Sequence, residues 1–228
     1  VRRQPAALPR STTEAVRQLR RDAEFLLPAF EEGLRALVRE FNAARSLKDL
    51  GIAGSGFVLS LDQTAGQQPT LHAADTDAPR ARLLVAPIKL EPACFRKIEA
   101  DYAGAGEAEP ARCLLDVLRA TVVFACPYQA AAFYSLLAAR FRVVRVKNRF
   151  AEPVPDSQYR DLMTNVAFEH GGASQVAEVQ LALEMLLSLK RYMHKPYAVL
   201  RHAKSQSFVE SGAVFCKESM DGVEEQVP

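Results

Sequence analysis

The run Ala120-Thr121-Val122-Val123-Phe124 is the clearest strand pattern in the chain, and it decides the fold class. β-Branched and aromatic residues dominate it, and these residue types favour a pleated, half-buried or buried strand. Pro127 then predicts the first turn of a helix, where proline has no hydrogen bond to lose. This strand and helix lie at the centre of a region in which strand and helix patterns alternate.

Further elements are predicted on both sides of this centre. Before it, residues 83–89 form a strand or an approach to one, and Glu91-Pro92 opens a helix that runs to Tyr102. After it come three strands and a final helix, at 141–148, 159–168, 176–181 and 182–193. The order predicts an α+β (α/β) fold, with helices packed against a mixed sheet of about five strands.

The first 50 residues predict a helical extension. Ser11-Thr12-Thr13-Glu14 has the pattern of a capping box. Apolar residues then recur at helical spacing on one face, at Phe30, Leu34, Leu37 and Phe41. This face should pack either on the rest of the chain, which is the safer expectation, or on a partner.

Three more features complete the predicted organisation. Pro28 should kink or split the extension, giving helical pieces near 12–27 and 29–47. A short strand is expected at 57–61, and the polar stretch 62–80 should be a surface loop. The expected domains are therefore residues 1–50 for the extension, 51–205 for the main domain and 206–228 for a tail.

Composition excludes several classes of protein. Of the 228 residues, 49% are hydrophobic, which is enough for a core, and the net charge of +2 is too small for broad binding of nucleic acid. The four cysteines form no C-x-x-C pair, so buried thiols are expected instead of zinc or disulfides. Neither a membrane span nor a signal peptide is recognisable. We expect no membrane partner, and a cytoplasmic location or delivery into a cytosol as an effector.

Two carboxylates lie at strand patterns. In Val176-Ala177-Glu178-Val179-Gln180-Leu181, alternation puts Glu178 and Gln180 on one face, which either meets solvent or lines a cleft. Asp116 precedes the strand at 120–124, where it is either a local cap or a ligand. Two carboxylates at the ends of neighbouring strands would suit Mg²⁺, which prefers oxygen ligands and triphosphate partners.

Basic side chains gather in two places. Lys89 and Lys97 flank the start of the helix at 91–102. Arg145 and Lys147 share one face of the strand at 141–148, so they could address one polyphosphate. A solvated basic edge is the alternative interpretation.

The order of these features resembles the synthetase domain of RelA/SpoT-type alarmone synthetases. Lys89 followed by Lys97 is similar to the ATP-binding segment R-x-K-x₇-K of that family. Leu115-Asp116-Val117-Leu118 is similar to the family's Asp-Ile-Ala-Gly-Ile-Arg-Val strand.

Later motifs keep the family's order, so the resemblance covers roughly residues 83–200. Lys147-Asn148-Arg149-Phe150-Ala151-Glu152-Pro153 resembles Lys-Asp-Tyr-Ile-x-x-Pro, and Gln158-Tyr159-Arg160-Asp161-Leu162 stands where the family has Gly-Tyr-Arg-Ser-Leu-His. Glu178-Val179-Gln180-Leu181 matches Glu-Val-Gln-Ile, and His194-Lys195-Pro196-Tyr197 resembles the terminal His/Tyr region.

The resemblance implies a pyrophosphokinase that moves the β,γ-diphosphate of ATP to the 3′-hydroxyl of a guanosine or adenosine nucleotide. It implies that Asp116 and Glu178 hold Mg²⁺, that Glu178 helps to activate the acceptor hydroxyl, and that Tyr159 stacks on the acceptor base. It further implies substrate-binding roles for Lys89, Lys97, Lys147, Arg145, Gln180 and His194.

Departures from the family concern the acceptor more than the reaction. Pro87 replaces the arginine of R-x-K, whose contact Arg82 could supply. Other departures are Gln158 for glycine, Met163 for histidine, and Val154 near a frequent lysine. No His-Asp dipeptide occurs, so the hydrolase module of this family is not expected and the enzyme would make product without removing it.

Two alternatives to this function stay open. The acceptor could be a tRNA 3′ end, although the small net charge disfavours extensive RNA contact. The chain could also be a non-catalytic nucleotide-binding or interaction module with the same fold. Assembly into a homo-oligomer stays open as well.

Overall fold

The computed structural model describes residues 4, 8, 11–44, 48–50, 80–102, 109–153 and 159–189. The strand expected at 57–61, nearly all of the loop expected at 62–80, and Val154, Gln158 and His194 lie outside these residues. The chain divides into two compact units, 1–184 and 185–228, and the described part of the second, 185–189, is helical. The domain boundaries drawn from the sequence stay a prediction.

Five strands in the described residues form one mixed sheet: β1 (Ala81–Val85), β2 (Arg119–Phe124), β3 (Arg142–Asn148), β4 (Leu162–His170) and β5 (Ala173–Leu183). Their order across the sheet is β1-β2-β5-β4-β3. Strands β2 and β5 run parallel, whereas the other three neighbouring pairs are antiparallel. The predicted α+β fold with a mixed five-stranded sheet is confirmed.

In the part of the chain that the structure describes, three α-helices flank the sheet: α1 (Thr12–Ala43), α2 (Glu91–Asp101) and α3 (Pro127–Arg140). Short 3₁₀ turns occupy Lys48–Leu50 and Pro110–Cys113. Within the described residues, no helix combines the length and apolar character that a membrane crossing needs. The same residues contain no disulfide, and Cys94 and Cys113 are buried as thiols.

Helices α1 and α3 cover one face of the sheet. Phe41 of α1, Phe124 of β2 and Phe133 of α3 pack together, with ring centroids 5.3–5.9 Å apart. Phe124 shares its face with Val122, whose partner in β5 is Leu181, so this is the apolar face predicted for β5. Glu178 is three positions before Leu181, an odd number, so strand alternation places it on the opposite face.

The turn between β4 and β5 fixes the register of the site strands. Gly171 and Gly172 have φ values of 55° and 82°, as the two-residue turn of a tight hairpin requires. A Cβ at Gly171 would also lie 2.8 Å from the Phe25 ring of α1. The turn pairs His170 with Ala173, and the antiparallel pairing of β4 with β5 that follows places Asn165 opposite Glu178.

The split expected at Pro28 is wrong, because α1 is one helix that runs through this residue to Ala43. Pro28 lies on the exposed side of α1, and so does Glu24, whose carbonyl loses its helical donor and can bond to water instead. Leu26 and Phe30, on the other side, are fully buried. The turns before and after Pro28 are therefore held by the same core.

We expect Pro28→Ala to raise the free energy of unfolding by about 1–3 kcal/mol, since alanine restores an amide donor in a helix interior. Urea unfolding followed by circular dichroism measures the change. Pro92→Ala is the matched control, because Pro92 lies exposed in the first turn of α2, where no helical bond is missing. A loss of stability in Pro28→Ala would contradict this account.

Candidate active site

The face of the sheet opposite α1 and α3 carries two rows of side chains across the strands, and all of them except Met163 are polar. Residues paired in register share a face, with Cβ atoms about 4.5–5.5 Å apart in antiparallel pairs. The first row is Arg119, Glu178, Asn165 and Arg145, and the second is Thr121, Gln180, Met163 and Lys147. The structure thus brings four of the predicted site residues onto one surface: Glu178, Gln180, Arg145 and Lys147.

Asp116 lies at the edge of this surface, in the segment that leads into β2. Its Oδ2 accepts hydrogen bonds from Lys89 Nζ at 2.6 Å and from Lys97 Nζ at 2.8 Å. Lys89 comes from the link between β1 and α2, and Lys97 comes from α2 itself. Burial opposes ionisation of Asp116, but the two lysines outweigh it and hold the pKa of this carboxyl below its usual range.

Glu178 is buried in β5, close enough to Asp116 for the two charges to interact. Gln180 Nε2 donates to Glu178 Oε1 at 2.7 Å. Burial raises the pKa of Glu178, the charge on Asp116 raises it further, and Gln180 and Lys97 offset only part of this. Two carboxylates on the same side of the sheet therefore have pKa values displaced in opposite directions.

Three further cations come from β3 and the residue after it: Arg145, Lys147 and Arg149. Burial lowers the pKa of Lys147, and the charges of Arg145, Arg149 and Lys97 lower it further. The two basic groups predicted from the sequence, one near α2 and one on β3, therefore face each other across the carboxylates. Such a concentration of positive charge is suited to a polyphosphate.

Tyr159 lies beside a buried ion pair next to this cluster. Arg149 donates to both carboxylate oxygens of Asp161, at 2.6 and 2.8 Å, and Asp161 is 0% exposed. The Arg149 guanidinium also lies 5.7 Å from the centre of the Tyr159 ring. Burial raises the pKa of Tyr159, and the charge on Asp161 and a hydrogen bond to it add to the increase. The phenol is therefore held protonated.

Sequence reasoning did not identify the Arg149–Asp161 pair. Arg149 and Asp161 enter the sequence comparison only as members of two segments that resemble family motifs. The pair spans a stretch of 12 residues, and no local pattern predicts it. Arg82, suggested as a substitute for the arginine missing at Pro87, is exposed and donates to Glu184 at 2.7 Å.

Gln4 is another residue that sequence reasoning missed, and it ties together the backbone segments before both carboxylates. Its Nε2 donates to the carbonyl oxygens of Leu114 at 2.6 Å and Val176 at 3.2 Å. Its Oε1 accepts from the Val176 amide at 2.7 Å. Leu114 and Val176 lie two residues before Asp116 and Glu178, so Gln4 helps to position both.

The carboxylates fit a magnesium ion by one structural criterion. Asp116 Oδ1 is buried and has no hydrogen-bond partner, which leaves one oxygen of this ionised group available to a cation. The described residues contain no group of three or more His, Cys, Asp or Glu side chains that could hold a metal. Asp116 and Glu178 would supply only part of the coordination of Mg²⁺, and phosphates or water would fill its other positions, as is usual for this ion in nucleotide enzymes.

No protein-family model matches the sequence, and no curated protein matches it. Among the solved structures that match is small alarmone synthetase 2 from Bacillus subtilis, with a TM-score of 0.49 and 15% identity over 90% of this chain and 95% of that one. A GTP pyrophosphokinase family protein from Streptococcus pneumoniae matches with a TM-score of 0.48 and 14% identity over 65% of this chain and 74% of that one. Small alarmone synthetase 1 from Bacillus subtilis, bound to its product pppGpp, matches with a TM-score of 0.45 and 17% identity over 62% of this chain and 76% of that one. The chain is structurally similar to small alarmone synthetases. At these identities the similarity assigns no activity to this chain.

The opposite pKa shifts predict opposite effects of neutralising the two carboxylates. Asp116→Asn should lower the free energy of unfolding at pH 7 by about 3 kcal/mol, since Lys89 and Lys97 lose their counter-charge. Glu178→Gln should raise it at pH 7, since a group with a raised pKa destabilises the fold when ionised. As the pH falls towards the pKa of Glu178, the glutamate takes up a proton, and the difference in stability between Glu178→Gln and wild type should shrink.

Urea unfolding at pH 7 and pH 5 measures both effects. Glu169→Gln is the matched control, because Glu169 is exposed near the end of β4 and should change stability by less than about 0.5 kcal/mol. Shifts of the same sign in Asp116→Asn and Glu178→Gln would mean that the two carboxylates do not have the environments described.

Proposed function

We propose that this protein is a Mg²⁺-dependent pyrophosphokinase that transfers the β,γ-diphosphate of ATP to the 3′-hydroxyl of a guanosine or adenosine nucleotide. The observation that carries the proposal is the pair formed by Asp116 and Glu178. They are buried together at the parallel strands β2 and β5, with opposite pKa shifts, between two groups of lysines and arginines. This combination suits the transfer of a highly charged group to a hydroxyl.

Lys89 and Lys97 would bind the phosphates of ATP. Both lysines now donate to one oxygen of Asp116. Catalysis of phosphoryl transfer depends mainly on positioning and on neutralising charge. When ATP and a cation bind together, the lysines can turn to the phosphates and Asp116 to the cation, so that no buried charge is left unpaired.

Asp116 and Glu178 would hold Mg²⁺, which supplies charge neutralisation at the phosphates. Asp116 suits this role because its pKa is lowered, so it is ionised at neutral pH. Its unpartnered Oδ1 supports the assignment. Arg145 and Lys147 would bind the phosphates of the acceptor on the opposite side.

Glu178 would also accept the proton of the acceptor 3′-hydroxyl. A raised pKa makes a carboxylate a stronger base near neutral pH, and the bond from Gln180 orients its Oε1. The 3′-oxygen would attack the β-phosphorus of ATP, and the bond from that phosphorus to the oxygen bridging it to the α-phosphorus would break. The products are AMP and a nucleotide 3′-diphosphate.

Tyr159 would provide the surface on which the acceptor base stacks, an interaction of about 1–3 kcal/mol. Arg149 and Asp161 hold its ring and hydroxyl, so the platform is formed before the acceptor binds. The proposed roles of Gln180, next to Glu178, and of His194, outside the described residues, remain those that the resemblance implies.

The direct test is incubation with Mg²⁺, ATP labelled in the β-phosphate, and GDP, GTP, ADP or tRNA in turn. We expect AMP release and a labelled nucleotide 3′-diphosphate with at least one mononucleotide. Label in tRNA alone would select a tRNA 3′ end as the acceptor. Binding of ATP without turnover on any acceptor would contradict the proposal and favour a non-catalytic nucleotide-binding module.

Glu178→Gln should lower turnover by about 10²–10⁴-fold, because the amide cannot accept the hydroxyl proton. Its affinity for ATP, measured by calorimetry without the acceptor, should stay within about threefold of wild type, since the lysines that bind phosphates are retained. Glu169→Gln should react at the wild-type rate. A Glu178→Gln variant as active as wild type would exclude Glu178 as the base.

A further inference from the structure

Asn165 is a buried amide that the proposed mechanism does not use. It lies in β4 directly opposite Glu178 of β5, and it is 1% exposed. Its Nδ2 donates to the carbonyl oxygen of Leu115, the residue before Asp116, at 3.2 Å. Asn165 thus contacts the segment that carries one carboxylate and faces the other across the strand pair.

Two side-chain oxygens of this cluster are buried and have no hydrogen-bond partner, Oδ1 of Asp116 and Oδ1 of Asn165. A buried acceptor without a donor costs about 1–3 kcal/mol. Asn165 cannot turn Oδ1 towards the backbone without breaking the bond that Nδ2 makes to Leu115. Two unpartnered oxygens beside a further carboxylate have the chemistry of a site for a hard divalent cation.

We propose that Asn165 Oδ1 is a third protein ligand of the divalent cation held by Asp116 and Glu178. The inference rests on the proposed function, since it concerns the same cation. The three oxygens would come from three segments: the approach to β2, β4 and β5. They would leave the remaining positions to phosphates and water. Because an amide is neutral, it adds a ligand without adding a charge that repels a triphosphate.

A purely positioning role for Asn165, through its bond to Leu115, makes a different prediction for one variant. In Asn165→Asp the side chain keeps an oxygen, but an ionised carboxylate cannot donate to the Leu115 carbonyl. If Asn165 is a ligand, this variant should bind the cation as well as wild type or more tightly. If it only positions Leu115, the variant should be as impaired as Asn165→Leu.

Gln175 offers a matched control within the same sheet. It is a buried amide of β5 whose Nε2 donates to the Leu19 carbonyl at 3.3 Å and whose Oε1 is unpartnered. It therefore repeats the features of Asn165. However, it lies on the face covered by α1, since it is an odd number of positions from Glu178. Gln175→Leu should lower stability without changing cation affinity.

The probe is Mn²⁺ alone, titrated into the full chain without nucleotide, with free Mn²⁺ measured by electron paramagnetic resonance. Circular dichroism first confirms that each variant is folded. We expect Asp116→Asn and Asn165→Leu each to weaken Mn²⁺ binding about tenfold or more. Asn165→Asp should bind at least as tightly as wild type, and Gln175→Leu should bind like wild type.

Each other outcome overturns a defined part of the proposal. Wild-type Mn²⁺ affinity in Asn165→Leu, with a loss in Asp116→Asn, would remove Asn165 from the site and leave the proposed function intact. Equal losses in Asn165→Leu and Asn165→Asp would replace the ligand role by a positioning role. Absence of Mn²⁺ binding to wild type, or binding that Asp116→Asn does not change, would overturn the cation site itself, and this inference with it.

Discussion

The parallel pairing of β2 with β5 is the constraint on which the candidate site depends. The Glu178 amide donates to the Leu118 carbonyl at 2.9 Å, which sets Arg119 opposite Glu178. Since Asp116 lies two residues before Leu118, this register decides whether the two carboxylates meet. A shift of one residue would turn Glu178 to the face covered by α1 and α3, among aromatic rings such as Phe124, where its charge could not be solvated.

The two faces of the sheet contribute to the protein in opposite ways. The face under α1 and α3 buries large apolar side chains and supplies the favourable free energy of folding. The other face contains features that cost free energy without a ligand: the raised pKa of Glu178 and the unpartnered oxygens of Asp116 and Asn165. A cation and a polyphosphate would remove these costs, so ligand binding should couple directly to stability.

The sequence predicted the elements of this fold better than their arrangement. Runs of β-branched residues and alternation located the strands, because these patterns are local. Two features that were missed also had local signals. Pro28 lies two residues from Leu26 and from Phe30, so its position outside the buried stripe of α1 could be read from the sequence. Gly171-Gly172 is a hairpin-turn pattern between two strands. The neighbours of β5 were not predictable, because strands far apart in the chain pair through packing of the whole sheet.

The site shows the same division between local and long-range information. Its carboxylates and lysines were found by residue type and order along the chain. The shared contact of Lys89 and Lys97 with one oxygen of Asp116 was not found in this way, because the two contacts span 27 and 19 residues of the chain. Asn165 carried no signal, because an amide inside a strand becomes informative only when its burial and cross-strand partner are known.

The ion pairs decide where an incoming phosphate meets uncompensated positive charge. Lys89 and Lys97 share the single negative charge of Asp116, and Arg149 is neutralised by Asp161. Within the described ranges, neither Arg145 nor Lys147 forms an ion pair, and repulsion from neighbouring cations contributes to the lowered pKa of Lys147. On the proposed function, neither cation of the acceptor side is paired, while on the ATP side the pull on phosphates grows as a cation takes over Asp116. On the same proposal, an acceptor with 5′-phosphates would be favoured over a nucleoside for this electrostatic reason, whichever base would stack on Tyr159.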